Sequence, residues 1–118
     1  MQTKELCEQI VKILDSKKAE NITAIETTEL TIVSDYFIIA NGTSSTHVKS
    51  LADDLEDELS KEGVSVNHIE GRATGWILLD YGEIVVHIFD RESREYYNLE
   101  RLWTDAQIMD ISHLIKEN

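Results

Sequence analysis

The sequence predicts an α/β domain, a mixed β-sheet flanked by helices, and three observations lead there. Two stretches, around 6–14 and 48–59, place apolar residues at helical spacing. Short β-branched or apolar runs lie between and after them, at 22–26, 30–33, 36–40, 64–70 and 75–89. The last of these must be an antiparallel hairpin, whereas the long helix separating two of the others permits a parallel pairing. At 118 residues, 42% of them apolar, the chain fits one domain spanning 1–118. A chain of this size buries roughly two thirds of its unfolded surface. There are no prolines, five glycines and no Ser- or Gly-rich run, so no linker or repeat is expected.

Each element has its own signal. Thr3 can cap a helix whose apolar positions are Leu6, Cys7, Ile10, Val11 and Leu14, ending in the polar stretch 15–20. Ile22 to Glu26 and Leu30 to Val33 read as short strands. Tyr36 to Ala40 is apolar on both alternating faces, the mark of a central strand. Asn41-Gly42-Thr43-Ser44-Ser45 turns into a helix that runs to about Glu62, with Val48, Leu51, Ala52, Leu55 and Leu59 on one stripe and Gly63 closing it. Asp53, Asp54, Glu56, Asp57 and Glu58 form its solvated side. Val64 to Glu70 follows as a strand, then a GRATG loop, the hairpin and a short helix around Leu99 to Ala106.

The hairpin GWILLDYGEIVVHIF, residues 75–89, is apolar on both faces. A two-residue turn at Tyr81-Gly82 sets Trp76 opposite His87 and Ile77 opposite Val86. Ile77, Leu79, Ile84, Val86 and Ile88 then form an aliphatic core face. Trp76, Leu78, Asp80, Glu83, Val85, His87 and Phe89 form the other, an aromatic and aliphatic patch rimmed by carboxylates. Such a face needs a cover. Either a partner supplies it, or Tyr96, Tyr97, Leu99, Leu102 and Trp103 fold back over it.

Charge narrows the function. Twenty-three acidic residues against 11 basic give −12, which repels phosphate backbones and suits a basic protein partner. Extensive direct nucleic-acid contact is therefore not expected. The lone Cys7 sits on an apolar helix face, no apolar run reaches the length of a membrane span and the N-terminus lacks a signal-peptide pattern, so a cytoplasmic location is expected. His47, His68, His87 and His113 form no HxH or HExxH spacing, and neither metal nor cofactor is expected. The Gly42 to Ser45 turn, opening a helix after a buried strand, leaves one enzymatic alternative, nucleotide binding or nucleotidyl transfer. That chemistry needs paired carboxylates on strands, and no D-x-D occurs on one.

Ser34 to Ser44, His47-Val48, Glu70-Gly71, Trp76, Asp80-Tyr81-Gly82, His87-Ile88-Phe89 and Tyr96 to Trp103 occur here in an order that resembles the ribosomal silencing factor family, also called Iojap or RsfS. The resemblance spans about 3–108, and the tail beyond Asp110 carries no family signal. It implies a nucleotidyltransferase-like fold without catalytic carboxylates, no enzymatic activity and frequent homodimers. It further implies binding to the large ribosomal subunit through that subunit's fourteenth protein, blocking subunit joining and repressing translation under nutrient limitation, with a contribution to large-subunit assembly. The contact surface expected from the hairpin is Trp76, Leu78, Asp80, Tyr81, Gly82 and His87. Tyr97, Leu99 and Trp103 extend or support it.

Overall fold

Helix α1, Thr3–Ser16, buries Cys7, Ile10, Val11, Ile13 and Leu14 on one stripe, as the spacing requires. The computed structural model describes residues 2–27, 35–71, 75–99, 101 and 107–115. Thr3 does not cap α1. Gln2 holds the cap position with no side-chain bond, and the Thr3 hydroxyl donates instead to the Glu83 carboxylate. Burial pushes the Cys7 thiol up to about 12, so it behaves as a small apolar group.

The second long helix, α2 (Ser45–Lys61), buries Val48, Leu51, Ala52, Leu55 and Leu59, the predicted set. Ser44 caps it by accepting a hydrogen bond from His47 N at 3.1 Å. Gly63, at φ +79°, takes the left-handed conformation just past its end, where a Cβ would be strained.

Among the described residues six strands form one sheet in the order β3-β4-β5-β2-β1-β6. They are β1 (Glu20–Glu26), β2 (Tyr36–Gly42), β3 (His68–Glu70), β4 (Trp76–Asp80), β5 (Ile84–Asp90) and β6 (Gln107–Ile108). β2 and β5 run parallel, Tyr36 beside Ile84 through Gly42 beside Asp90, and the other pairings are antiparallel. The sheet is therefore mixed, with its parallel pair at the centre. The predicted strand at 64–70 shortens to its last three residues, while Val64 and Val66 pack against the core without joining the ladder. The strand expected at Leu30 to Val33 lies outside the described residues, as does nearly all of the helix expected around Leu99 to Ala106. An additional helix, α3 (Arg91–Tyr97), follows β5 directly.

The hairpin register differs from the predicted one. Trp76 pairs with Phe89, Ile77 with Ile88, Leu78 with His87, Leu79 with Val86 and Asp80 with Val85. Tyr81 N then donates to Ile84 O at 2.9 Å, which makes Gly82-Glu83 the two-residue turn. A glycine at φ +88° in the first turn position is what a type II′ turn requires. The shift is two residues, so every side chain keeps its face. Ile77, Leu79, Ile84, Val86 and Ile88 are buried in the cluster that includes the inner stripes of α1 and α2.

Tyr81 joins that helix-covered core, 9% exposed, and its hydroxyl has no hydrogen-bond partner among the described residues. Burial raises its pKa. Because a hydroxyl that is buried without a partner carries a desolvation cost, Tyr81→Phe is expected to keep or raise stability by up to about 1 kcal/mol. A urea-unfolding midpoint measures this. A loss above about 2 kcal/mol would show that the hydroxyl is bonded after all.

Candidate docking face

The opposite side of the sheet is built by register. Phe37, Ile39 and Asn41 of β2 lie beside Val85, His87 and Phe89 of β5, which lie beside Asp80, Leu78 and Trp76 of β4. Ile25 of β1 joins the row next to Phe37. Among the described residues no long helix covers this face. Ile25, Ile39 and Phe89 are nevertheless buried, because Phe37, Trp76 and Leu99 pack against them.

Sequence reading missed α3, and it is α3 that partly covers this face. Its start was legible. Asp90 follows a strand and precedes Arg91-Glu92-Ser93, and its carboxylate accepts from Ser93 N at 2.7 Å as an N-cap. None of its residues is buried, so no apolar stripe announced it. Polar contacts hold it instead. Arg91 pairs bidentately with Glu20 at 2.8 and 2.7 Å, which holds the Glu20 carboxyl below its usual range. Arg94 donates to Asn41 Oδ1 at 3.0 Å, to Thr23 Oγ1 at 3.1 Å and to the carbonyl of Asn21. A register shift in β1 between Glu20 and Thr23, with Asn21 at φ +50°, accompanies that last contact.

At its far end α3 sets Tyr97 on Trp76, ring centroids 4.7 Å apart, and Trp76 stacks on Phe89 at 5.1 Å. Tyr96 meets Tyr97 edge-on at 5.0 Å and is 80% exposed. The cover is thus partial. Trp76 and Leu78 remain half-buried, Tyr97 is 44% exposed, and a groove of about 350 Å³ lies between them, Glu70, Gly71, Gly75 and Ser93.

His87 lies beneath this rim, 4% exposed. It is diagonal to Trp76 instead of opposite it, and its Nδ1 accepts the indole N–H at 3.0 Å. This bond places the neutral ring's proton on Nε2, which has no partner among the described residues. Burial lowers the His87 pKa to about 4, so the ring is neutral at pH 7.

The nine expected contact residues therefore separate. Trp76, Leu78, Tyr97 and Leu99 share the half-covered face, and His87 supports it from below. Asp80 is on the same face, its carboxylate accepting from Gly82 N at 2.7 Å and bracing the turn. Tyr81 is on the helix side, and Trp103 lies outside the described residues. Tyr96, within the quoted family motif yet absent from the expected set, proves to be the most exposed aromatic described.

At the glycine-serine turn, the Thr43 amide donates to His47 Nδ1 at 2.9 Å, the His47 amide to Ser44 Oγ and the Val48 amide to Ser44 O. His47 Nε2 reaches Lys17 O at 3.0 Å. These amides cap the helix and are not turned toward a phosphate. Among the described residues no cluster of three or more His, Cys, Asp or Glu could hold a metal ion. No described helix is long and apolar enough to cross a membrane.

Fold and face together define a class of α/β protein, one whose sheet is sealed by helices on one side and carries a half-covered aromatic patch on the other. The family model described as ribosomal silencing factor during starvation matches residues 1–118. The chain belongs to the ribosomal silencing factor family. It is 34% identical over 116 residues to the ribosomal silencing factor RsfS of Halalkalibacterium halodurans, covering 98% of this chain and 99% of that one. It is 33% identical over 113 residues to a mouse protein named mitochondrial assembly of ribosomal large subunit protein 1, covering 89% of this chain and 50% of that longer one. A crystal structure of a Chromobacterium violaceum protein superposes with a TM-score of 0.84 at 33% identity, covering 87% of each chain.

Proposed function

We propose that the protein binds the large ribosomal subunit through its fourteenth protein, in the cytoplasm and without catalysis, and sterically blocks joining of the small subunit. Translation then falls when nutrients are limiting, and a contribution to large-subunit assembly follows from occupying the same face earlier. The observation that carries this reading is the half-covered patch of Trp76, Leu78, Tyr96 and Tyr97. Aromatic groups set at the edge of a rigid sheet are what interface hot spots are made of. The net charge of −12 favours a basic ribosomal protein over exposed RNA. Membership in the family supports the ribosome as the target. Two copies could also pair through this patch, in which case ribosome docking requires the dimer to open.

Sedimentation through a sucrose gradient with separated subunits tests the reading. Wild-type protein is expected to travel with free large subunits and to reduce joined ribosomes. Trp76→Ala, checked for folding, is expected to weaken binding at least about tenfold, and Tyr96→Ala, which removes an exposed ring, about threefold to tenfold. If both variants bind and block joining like wild type, the patch is not the docking surface.

A further inference from the structure

We propose that the groove between β4 and α3 receives one arginine side chain of the basic protein partner, its guanidinium lying on Trp76 and Tyr97 and pairing with Glu70. This rests on the docking role of the face and adds the chemistry of what enters it. The groove has two unlike ends. Trp76, Leu78 and Tyr97 supply an apolar, aromatic wall, while Glu70 supplies a carboxylate directly across the ladder from Leu78. His68 Nε2 donates to Glu70 Oε1 at 2.8 Å and so orients that carboxylate.

Gly75 brings the two walls of the groove close together. A Cβ at Gly75 would collide with the Asp90 carboxylate and come within 2.7 Å of Ser93 Oγ, so only glycine lets β4 start this close to the cap of α3. An apolar insert would gain nothing from the Glu70 carboxylate, which is exposed at the groove's mouth and already accepts from His68. An anion would be repelled by Glu70 and by the charge of −12. An ammonium satisfies the carboxylate but does not stack. A planar guanidinium does both, stacking on a ring face while its forked N–H groups meet a carboxylate, and its methylene stem suits Leu78.

Titration with a small probe separates this proposal from ribosome binding. N-acetylarginine amide is added to the full chain, and the Trp76 indole N–H resonance is followed, assigned by comparison with Trp103→Phe. A saturable shift is expected with the arginine probe, one at least about fivefold weaker with N-acetyllysine amide, and none with N-acetylleucine amide. Glu70→Gln and Tyr97→Ala should each weaken the arginine response about fivefold or more, and Glu62→Gln should not. Equal responses to the arginine and leucine probes, or an unchanged response in Glu70→Gln, overturn the proposal. On ribosomes, Glu70→Gln is expected to weaken co-sedimentation roughly fivefold to tenfold and to reduce its salt dependence. If wild type binds and Glu70→Gln binds equally, the groove proposal fails while the docking role stands. If wild type does not bind, the docking role fails and the probe titration alone decides the groove.

Discussion

Phe89→Ala is expected to lose about 3–5 kcal/mol of stability and, with it, the docking surface. Phe89 is fully buried, yet it belongs to the sheet face opposite the long helices α1 and α2. Its ring stacks under Trp76 at 5.1 Å and lies 6.1 Å from Tyr97 and 6.3 Å from His87. Truncation leaves a void that α3 cannot collapse to fill, because two arginine clusters fix α3 at its other end. Against a domain stability of about 5–15 kcal/mol, that loss is a large fraction. Urea unfolding gives its size. Phe89→Leu, which keeps an apolar group in place, should cost less and retain most of the near-ultraviolet dichroism of the aromatic cluster. A loss below about 1 kcal/mol for Phe89→Ala would mean that the second face is not packed as described.

The same cluster explains what the sequence could and could not convey. Alternation in the hairpin fixed which residues share a face, since side-chain direction has period two and survives any shift by an even number of residues. That invariance also concealed the register error. Aliphatic residues sort to one face whether the turn is Tyr81-Gly82 or Gly82-Glu83, so sorting alone cannot choose between them. Turn chemistry can, because Gly82 leads a type II′ turn and Tyr81 then becomes a buried residue paired with Ile84 just past the end of β4.

The helices divide in the same way. α1 and α2 were legible because burying a stripe leaves a period in the sequence. α3 leaves none, as its attachments are a local cap, two arginines whose partners lie 53 to 73 positions away, and the contacts of Tyr97 with Trp76 and Phe89. The cover over Trp76 thus depends on long-range polar pairs, and alternation within one strand carries no trace of them. The C-terminal aromatics were read as either covering the face or leaving it to a partner. Tyr97 and Leu99 cover part of it and Tyr96 stays exposed, while Leu102 and Trp103 lie outside the described residues.

Acid is expected to weaken the protein from pH 6.5 down to about 4, and His87 should account for about 3 kcal/mol of that loss. The sign follows from proton uptake. In the unfolded chain the imidazole titrates near its ordinary value of 6.5, whereas burial lowers it to about 4 in the fold. Between those values the unfolded state binds more protons, so falling pH pulls the equilibrium toward it. The stability is fully present above the unfolded pKa and is lost as pH falls through the folded one.

Among the described residues the rings packed on His87 are Trp76, Phe37 and Phe89, none of which carries a charge to offset this. Protonation also removes the lone pair that accepts the Trp76 indole N–H, so the change reaches the docking face directly. His87→Gln keeps an acceptor for that N–H but cannot titrate. Carboxylate titration acts on both proteins alike, so the difference between their urea midpoints across pH 7 to 4 isolates His87. Wild type should lose about 3 kcal/mol relative to the variant over that span, and parallel curves would show that His87 is already accessible to protons in the fold.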